Sequence, residues 1–312
     1  MHRRTLRSGP RLAGMASLGG WAYRSAPTVW KICKKDLRRR VAPSPSCPNP
    51  KAWPDHGLYA AWVGHSTVLL KIDGYTVITD PVFSTRVGPH LGIGTVGLKR
   101  LVAPALPLGE LPRIDLVLLS HAHFDHFDLA TLRRLESRGT RVVTAPHTSD
   151  LLRVNRYGDV RELAWGERAA LGPFDVRAFE VNHWGARVRR DTWRGYNGYI
   201  LAAGRYRVLF GGDTAMTGAF RTLRSTRRFD LAIMPVGAYN PWVHCHCTPE
   251  QAWKMANDAG AEFFLPVHHQ TFALSREPYH EPIERLCDAA GNSPDRVALR
   301  RIGEQFQLSH RS

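Results

Sequence analysis

Ser120-His121-Ala122-His123-Phe124-Asp125-His126 decides how this chain is read. It follows Leu116-Val117-Leu118-Leu119, four apolar residues in a row, too short for a helix and typical of a strand buried on both faces. It precedes the helix-like run Leu129-Ala130-Thr131-Leu132-Arg133-Arg134-Leu135, so the histidines stand at the end of a core strand. In an extended or turning segment residues i and i+2 point to the same side, which lets His121 and His123 approach one cation together. Asp125 and His126 then offer a carboxylate and an imidazole to a second. Borderline metals such as zinc take this mixture of nitrogen and oxygen donors. Packing explains such a cluster poorly, because buried polar groups need partners.

Other strands end the same way. The alternating stretch from Asp175 to Val181 delivers His183, and Tyr206-Arg207-Val208-Leu209-Phe210 runs into Gly211-Gly212-Asp213-Thr214. Phe263-Phe264-Leu265-Pro266-Val267 leads to His268-His269, two adjacent candidates for one position. Randomly scattered histidines and aspartates would not keep choosing strand ends. By its own chemistry the set holds five imidazoles and two carboxylates, enough for two three-coordinate sites and one bridging acid.

The remaining chain supplies a scaffold. Ala42 to Pro50 is proline-punctuated and reads as a linker, which places a basic arm and linker at 1–57 and the folded body at 58–312. Leu58 to Val63, Thr67 to Ile72 and Tyr75 to Thr79 read as a β-meander with a hairpin at Asp73-Gly74, ending at Asp80-Pro81. His65 sits in the tight turn Gly64 to Thr67, where a lone histidine is ordinarily a surface residue. Residues 84–112, rich in Gly and Pro, read as a long loop walling a cleft. A helix from Leu129 to about Arg138 with a Gly139 cap leads to a strand at Arg141 to Ala145. A hairpin joins Tyr199–Ala202 to Tyr206–Phe210, a buried strand covers Leu231 to Val236, and Pro249 to Ala259 reads as a helix. His244-Cys245-His246-Cys247 could grip a structural zinc, but the main cluster does not need it.

Composition sets the limits. At 312 residues and 43% hydrophobic, the chain can bury a large core. No apolar run approaches the roughly 18 residues of a membrane span, so a soluble or surface-bound protein is expected. Residues 1–51 carry twelve Lys or Arg against the single acid Asp36, which is +11 of the formal +16. Such an arm suggests attraction to an anionic membrane or nucleic acid, or an address signal. Leu12 to Ala22 is mildly apolar but broken by glycines, a weak export signal at most. Five cysteines make no disulfide framework, and a reducing, cytoplasmic compartment fits.

The pattern His-x-His-x-Asp-His at a strand end resembles the metallo-β-lactamase superfamily. Trp62-Val63-Gly64-His65-Ser66-Thr67, Thr79-Asp80-Pro81-Val82-Phe83-Ser84, Asn182-His183-Trp184, Gly212-Asp213-Thr214, Pro235-Val236-Gly237-Ala238-Tyr239 and His246-Cys247-Thr248-Pro249-Glu250 resemble its N-acyl-phosphatidylethanolamine-hydrolysing phospholipase D branch, in that branch's order. The likeness covers about residues 58–275. It implies an α/β fold, a four-layer αββα sandwich with mixed sheets. It implies two zinc ions per chain, with manganese or iron as possible substitutes: His121, His123 and His183 on the first, Asp125, His126 and His268 on the second, Asp213 between them. A hydroxide shared by the ions would be the nucleophile, with Asp125 and Asp213 at the catalytic centre. Asp80, with His65 nearby, would stand behind the ligands, and Tyr239 and His246 would face substrate. Where the branch typically has Trp-Gly-Thr-Phe this chain has His269-Gln270-Thr271-Phe272, and aligning Thr271-Phe272 favours His268 over His269 as the ligand.

The implied activity is phosphodiester hydrolysis on a phospholipid or small-molecule substrate. A glutamate where His123 stands would mark the diiron redox members, and it is absent. The extra domain of RNA-cleaving members has no room, which makes nucleic acid an unlikely partner. A lactone or carboxylic-ester hydrolase would use the same ligands, and a metal-stabilised nucleic-acid-binding protein is the reading from outside enzymology.

Overall fold

The computed structural model describes Asp36, residues 39–90, Gly92 and residues 94–308. The weak export signal and most of the basic arm lie outside these residues. The chain divides after Arg40 into two units, and every strand described belongs to the unit beginning at Val41.

Fifteen strands are described: β1 Leu58–Gly64, β2 Thr67–Ile72, β3 Tyr75–Thr79, β4 Arg86–Val87, β5 Leu98–Lys99, β6 Leu116–Leu119, β7 Arg141–Thr144, β8 Asp159–Glu162, β9 Arg168–Leu171, β10 Phe174–Phe179, β11 Gly198–Ala203, β12 Tyr206–Phe210, β13 Phe229–Pro235, β14 Ala261–Val267 and β15 Gln305–Leu308. One sheet runs β15-β1-β2-β3-β6-β7-β8 and the other β14-β13-β12-β11-β10-β9. The Asp73-Gly74 hairpin forms as expected, with φ of 46° and 86° at its two residues, the left-handed pair that such a turn requires.

Alternation along each strand builds the layers. Leu58, Ala60 and Trp62 face inward with Leu116 and Leu118 against Val176, Leu201, Leu231 and Leu265 of the second sheet. Tyr59, Ala61 and Val63 point outward and are covered by Leu132 from the helix Leu129–Arg134. On the far side, Ala252, Met255 and Ala256 of the helix Pro249–Ala259 and Leu286 of the helix Glu281–Ala290 cover Ala232 and Met234. Both faces of each sheet are therefore buried, which gives the αββα sandwich.

The parallel pairings β3-β6-β7 and β12-β13-β14 matter most for function. Parallel strands leave their carboxyl ends on one edge, and ligand-bearing loops gather there.

Three expectations change. The helix after the His-rich loop ends at Arg134 with Leu135 as its cap, so Gly139 caps nothing and lies in the turn before β7. The long loop contains the β4–β5 ribbon. Residues 41–57, expected as a linker, pack on the body: the Ala42 amide donates to the Leu101 carbonyl at 2.9 Å, and Trp53 is buried with its indole N–H donating to Gln305 at 3.0 Å. Among the described residues no helix is long and apolar enough to cross a membrane.

Candidate metal centre

Asp80 directly follows β3 and is fully buried beneath the loop that follows β6. Its carboxylate accepts from the Ser120 amide at 2.7 Å, the Ser120 hydroxyl at 2.5 Å and His126 Nδ1 at 2.7 Å. Burial raises the Asp80 pKa, and His126 and Ser120 work against that rise. With the Ser120 hydroxyl donating to Asp80, its oxygen is left to accept from His121 Nδ1 at 2.8 Å. Each bond fixes a ring and leaves Nε2 of His121 and of His126 facing the interior of the cluster.

Three nitrogens converge on one side. His121 Nε2 and His123 Nδ1 are 2.8 Å apart, and His123 Nδ1 and His183 Nε2 are 3.3 Å apart. His183 comes from the loop after β10, and its Nδ1 donates to the Cys245 carbonyl at 2.9 Å, which aims Nε2 inward. Burial holds all three imidazoles neutral: the pKa of His121 falls well below the usual range, that of His123 to about 4 and that of His183 to about 3. Neutral imidazoles are the form that ligates metals.

The second group is richer in charge. Asp213 Oδ2 lies 3.0 Å from His268 Nε2, 3.2 Å from His126 Nε2 and 3.8 Å from His183 Nε2, so one oxygen touches both groups. Asp125 Oδ2 lies 3.7 Å from both His126 Nε2 and His268 Nε2. Burial alone would raise both carboxyl pKa values, but the neighbouring histidines, His126 foremost, hold them well below the ordinary range. Burial would also lower His126 and His268, but Asp213 and Asp125 outweigh it, raising His126 well above normal and His268 to about 9.

Asp213 reaches this place because Gly212 precedes it. Gly212 has φ of 57°, and a Cβ there would stand 2.7 Å from the Asn197 carbonyl oxygen and 2.8 Å from Ser120 Cβ. His65, Asp80 and His268 also hold left-handed backbones, with φ of 51°, 32° and 65°. Such strain collects where the fold must aim a side chain.

The residues fit a divalent cation. His126 Nε2, His123 Nε2, Asp213 Oδ1 and His268 Nε2 are buried and make no hydrogen bond, which a packed core avoids. His121, His123 and His183 each put a nitrogen within 4.8 Å of the others, and the same holds for ligand atoms of His65, Asp125, His126 and His268. Three imidazoles on one side, with mixed imidazole and carboxylate on the other, is a donor set for zinc, manganese or iron.

The structure brings together His121, His123, Asp125, His126, His183, Asp213 and His268. Of the adjacent pair, His268 faces the centre, while His269 stacks on Trp62 with ring centroids 4.5 Å apart. His65 is buried, not a surface turn residue, and its Nε2 lies 3.0 Å from Asp125 Oδ2. His246 stacks over His268 at 5.2 Å and places Nδ1 3.8 Å from Asp213 Oδ2. Tyr239 is turned elsewhere: its hydroxyl donates to Glu281 at 2.7 Å and its ring carries the Arg285 guanidinium. The His-Cys-His-Cys tract does not converge either, since the Cys245 thiol points to the Trp242 carbonyl and the Cys247 thiol to that of Pro235.

Sequence reasoning missed Arg187 and, though it quoted Trp184 beside His183, gave that residue no role. Arg187 donates to the carbonyls of Ala122 and Phe127 at 2.9 and 2.8 Å and lies 4.1 Å over the Phe124 ring, clasping the His-rich loop from outside. The Trp184 ring packs 4.5 Å from that of His123. Adjacency to His183 could have signalled Trp184; no spacing signals Arg187.

The chain is similar to known proteins in sequence and in fold. A model of the beta-lactamase superfamily domain matches residues 75–269. An uncharacterised protein of Mycobacterium tuberculosis is 34% identical over 289 residues, covering 87% of this chain and 74% of that one. The N-acyl-phosphatidylethanolamine-hydrolyzing phospholipase D 1 of Caenorhabditis elegans is 25% identical, covering 90% of this chain and 86% of its own length. Among solved structures, Igni18, a metallo hydrolase of the archaeon Ignicoccus hospitalis, has the same fold, with a TM-score of 0.61 at 20% identity over 82% of this chain and 100% of that one. With its sandwich, its strand-end histidines and a domain match spanning most of the body, this chain belongs to the metallo-β-lactamase superfamily of metal-dependent hydrolases.

Proposed function

We propose that this chain is a dinuclear, zinc-dependent phosphodiesterase acting on phospholipids of the N-acyl-phosphatidylethanolamine class. His121, His123 and His183 would hold one ion, Asp125, His126 and His268 the other, and Asp213 both. The observation that carries the reading is the placing of Asp213 Oδ2 within 3.2 Å of His126 Nε2 and 3.8 Å of His183 Nε2, since a shared ligand must reach both groups. Likeness to the nematode phospholipase D supports the phospholipid class.

Divalent ions held by these residues would polarise a phosphoryl oxygen and lower the pKa of a bound water. The chain's own residues arrange the rest. Asp80, Ser120 and the Cys245 carbonyl decide which nitrogen of each ring faces inward. His65 holds Asp125, and His246, which stacks over His268, would face the substrate's head group. The basic stretch ahead of Val41 would bring the chain to anionic membrane.

The test is metal-replete protein against an N-acyl phospholipid, a soluble phosphodiester and a lactone. The expected result is two metals per chain by elemental analysis, with phosphodiester cleavage that a chelator removes and zinc restores. Cleavage that survives complete metal removal would overturn the reading. Lactone turnover far above phosphodiester turnover would move it to a carboxylic-ester hydrolase.

A further inference from the structure

We propose that the strap of residues 184–194, beside the metal centre, is a docking surface for anionic phospholipid bilayer. The inference goes beyond the catalytic reading and does not need it. Trp184, Val188 and Trp193 are 52%, 53% and 62% exposed. Val243 is 48% exposed and belongs to the loop whose Cys245 carbonyl holds His183. Single exposed apolar side chains are ordinary, whereas three on one eleven-residue strap, the first of them packed on His123, mark an interaction surface.

The exposure is built into the strap. Asp191 accepts from the Val188 amide at 2.7 Å and from Arg194 Nε at 2.6 Å. Arg194 also reaches Asp150 at 2.6 Å, and Arg187 clasps the His-rich loop. The strap thus ties Arg187, Asp191 and Arg194 to the body and leaves Trp184, Val188 and Trp193 in solvent together with Arg189 and Arg190.

Charge decides the occupant. Arg189 and Arg190 are exposed beside Val188, while the strap's only acid, Asp191, is buried against Arg194. Tryptophan suits the boundary between head groups and acyl chains, aliphatic Val188 and Val243 suit the hydrocarbon below it, and arginines suit anionic head groups. A nucleic-acid surface would have no use for the two valines. Trp184, packed on His123, joins this surface to the metal centre.

The test uses the full chain and vesicles of phosphatidylcholine alone or with phosphatidylglycerol, neither being the proposed substrate, so that binding is read without turnover. The expected result is co-sedimentation with the anionic vesicles. The pair Arg189→Gln/Arg190→Gln should weaken it about thirty-fold at low salt, with a smaller loss at high salt. The pair Val188→Ser/Trp193→Ser should weaken it at both. Cleavage of a soluble phosphodiester and the melting temperature should be unchanged in both variants. Variants that sediment like the parent, or a parent that ignores vesicles while cleaving the soluble substrate, overturn the docking surface alone. Vesicle binding without any hydrolysis overturns the catalytic reading alone. Loss of nucleic-acid binding in the arginine pair, with vesicle binding intact, would assign the surface to another partner and overturn the proposal.

Discussion

Asp80 Oδ2 and His126 Nδ1 stand 2.7 Å apart, a contact between the end of one strand and the loop after its neighbour, 46 residues on. Asp80 also takes both donors of Ser120, so one carboxylate orients two rings of the metal centre. Removing such a partner typically costs 10- to 100-fold in metal affinity. Asp80→Asn should show that loss in competition with a chelator. Asp80→Ala should further cost about 1–3 kcal/mol in denaturant unfolding by stranding the Ser120 amide. An Asn variant with the parent's metal affinity would remove Asp80 from the centre.

Metal should stabilise the whole body, because the ligands come from loops after β6, β10, β12 and β14 and meet only when the sandwich is folded. Free metal at a thousandfold excess over its dissociation constant adds about 4 kcal/mol. For a domain of this size that is a rise of roughly 10 °C in melting temperature. Calorimetry with and without zinc measures it. No rise with zinc, manganese or iron would mean that these buried nitrogens and oxygens hold no cation.

Gly212→Ala should damage the site through its backbone. The new Cβ meets the Asn197 carbonyl at 2.7 Å in a left-handed conformation, so the chain must shift where it delivers Asp213. A cost of about 1–3 kcal/mol is expected, with metal stoichiometry falling below that of the parent. Gly218→Ala is the control: nothing stands within 4 Å of its Cβ and its φ is −76°. Equal behaviour of the two variants would show that the Gly212 conformation is not what places Asp213.

Arg187→Met keeps an apolar stem against Phe124 but removes the donors to the Ala122 and Phe127 carbonyls. Those carbonyls flank His123 to His126, so the cost, about 1–3 kcal/mol, should come with weaker zinc binding. Arg187→Lys restores one donor and should recover part of both. Unfolding curves and zinc titrations on the pair separate this from a surface effect, which would leave zinc affinity untouched.

The metal centre was legible because its ligands sit where short apolar strands stop, a pattern local to the chain. Contacts across the fold were not. His65 occupies a turn that looks exposed in sequence, and only the return of Thr271, whose hydroxyl accepts from the His65 amide at 2.6 Å, buries it. Arg187 meets partners 60 and 65 residues away, beyond any motif spacing. The edge strands β8 and β9 were missed because they are short and largely exposed and carry charges that hide the alternation, and β15 because four residues of alternation near the end of the sequence are too few to signal a strand. The helix beginning at Leu129 stops at Arg134, where Glu136 instead pairs with Arg153, a partner invisible in the local sequence.

One such edge residue gives a pH test. Glu162, at the end of β8, accepts from the amides of His147, Thr148 and Ser149 at 2.9, 2.9 and 2.8 Å. Burial would raise its pKa, but Ser149, His147 and Thr148 together lower it below the ordinary 4.5. A carboxyl with a depressed folded pKa stabilises above its unfolded pKa, and the gain is lost as pH falls through the folded value. Its side chain is largely exposed, so after solvent screening the gain is about 1 kcal/mol. Glu162→Gln should therefore be less stable than the parent at pH 7, and the two should converge once acid has protonated Glu162. The His147 carbonyl beside these amides accepts from Arg194, so the loss should spread to the strap next to the metal centre, seen as faster amide exchange there at pH 7. A gap between parent and variant that stays constant through the acid range would mean that the Glu162 charge contributes nothing and only its shape matters.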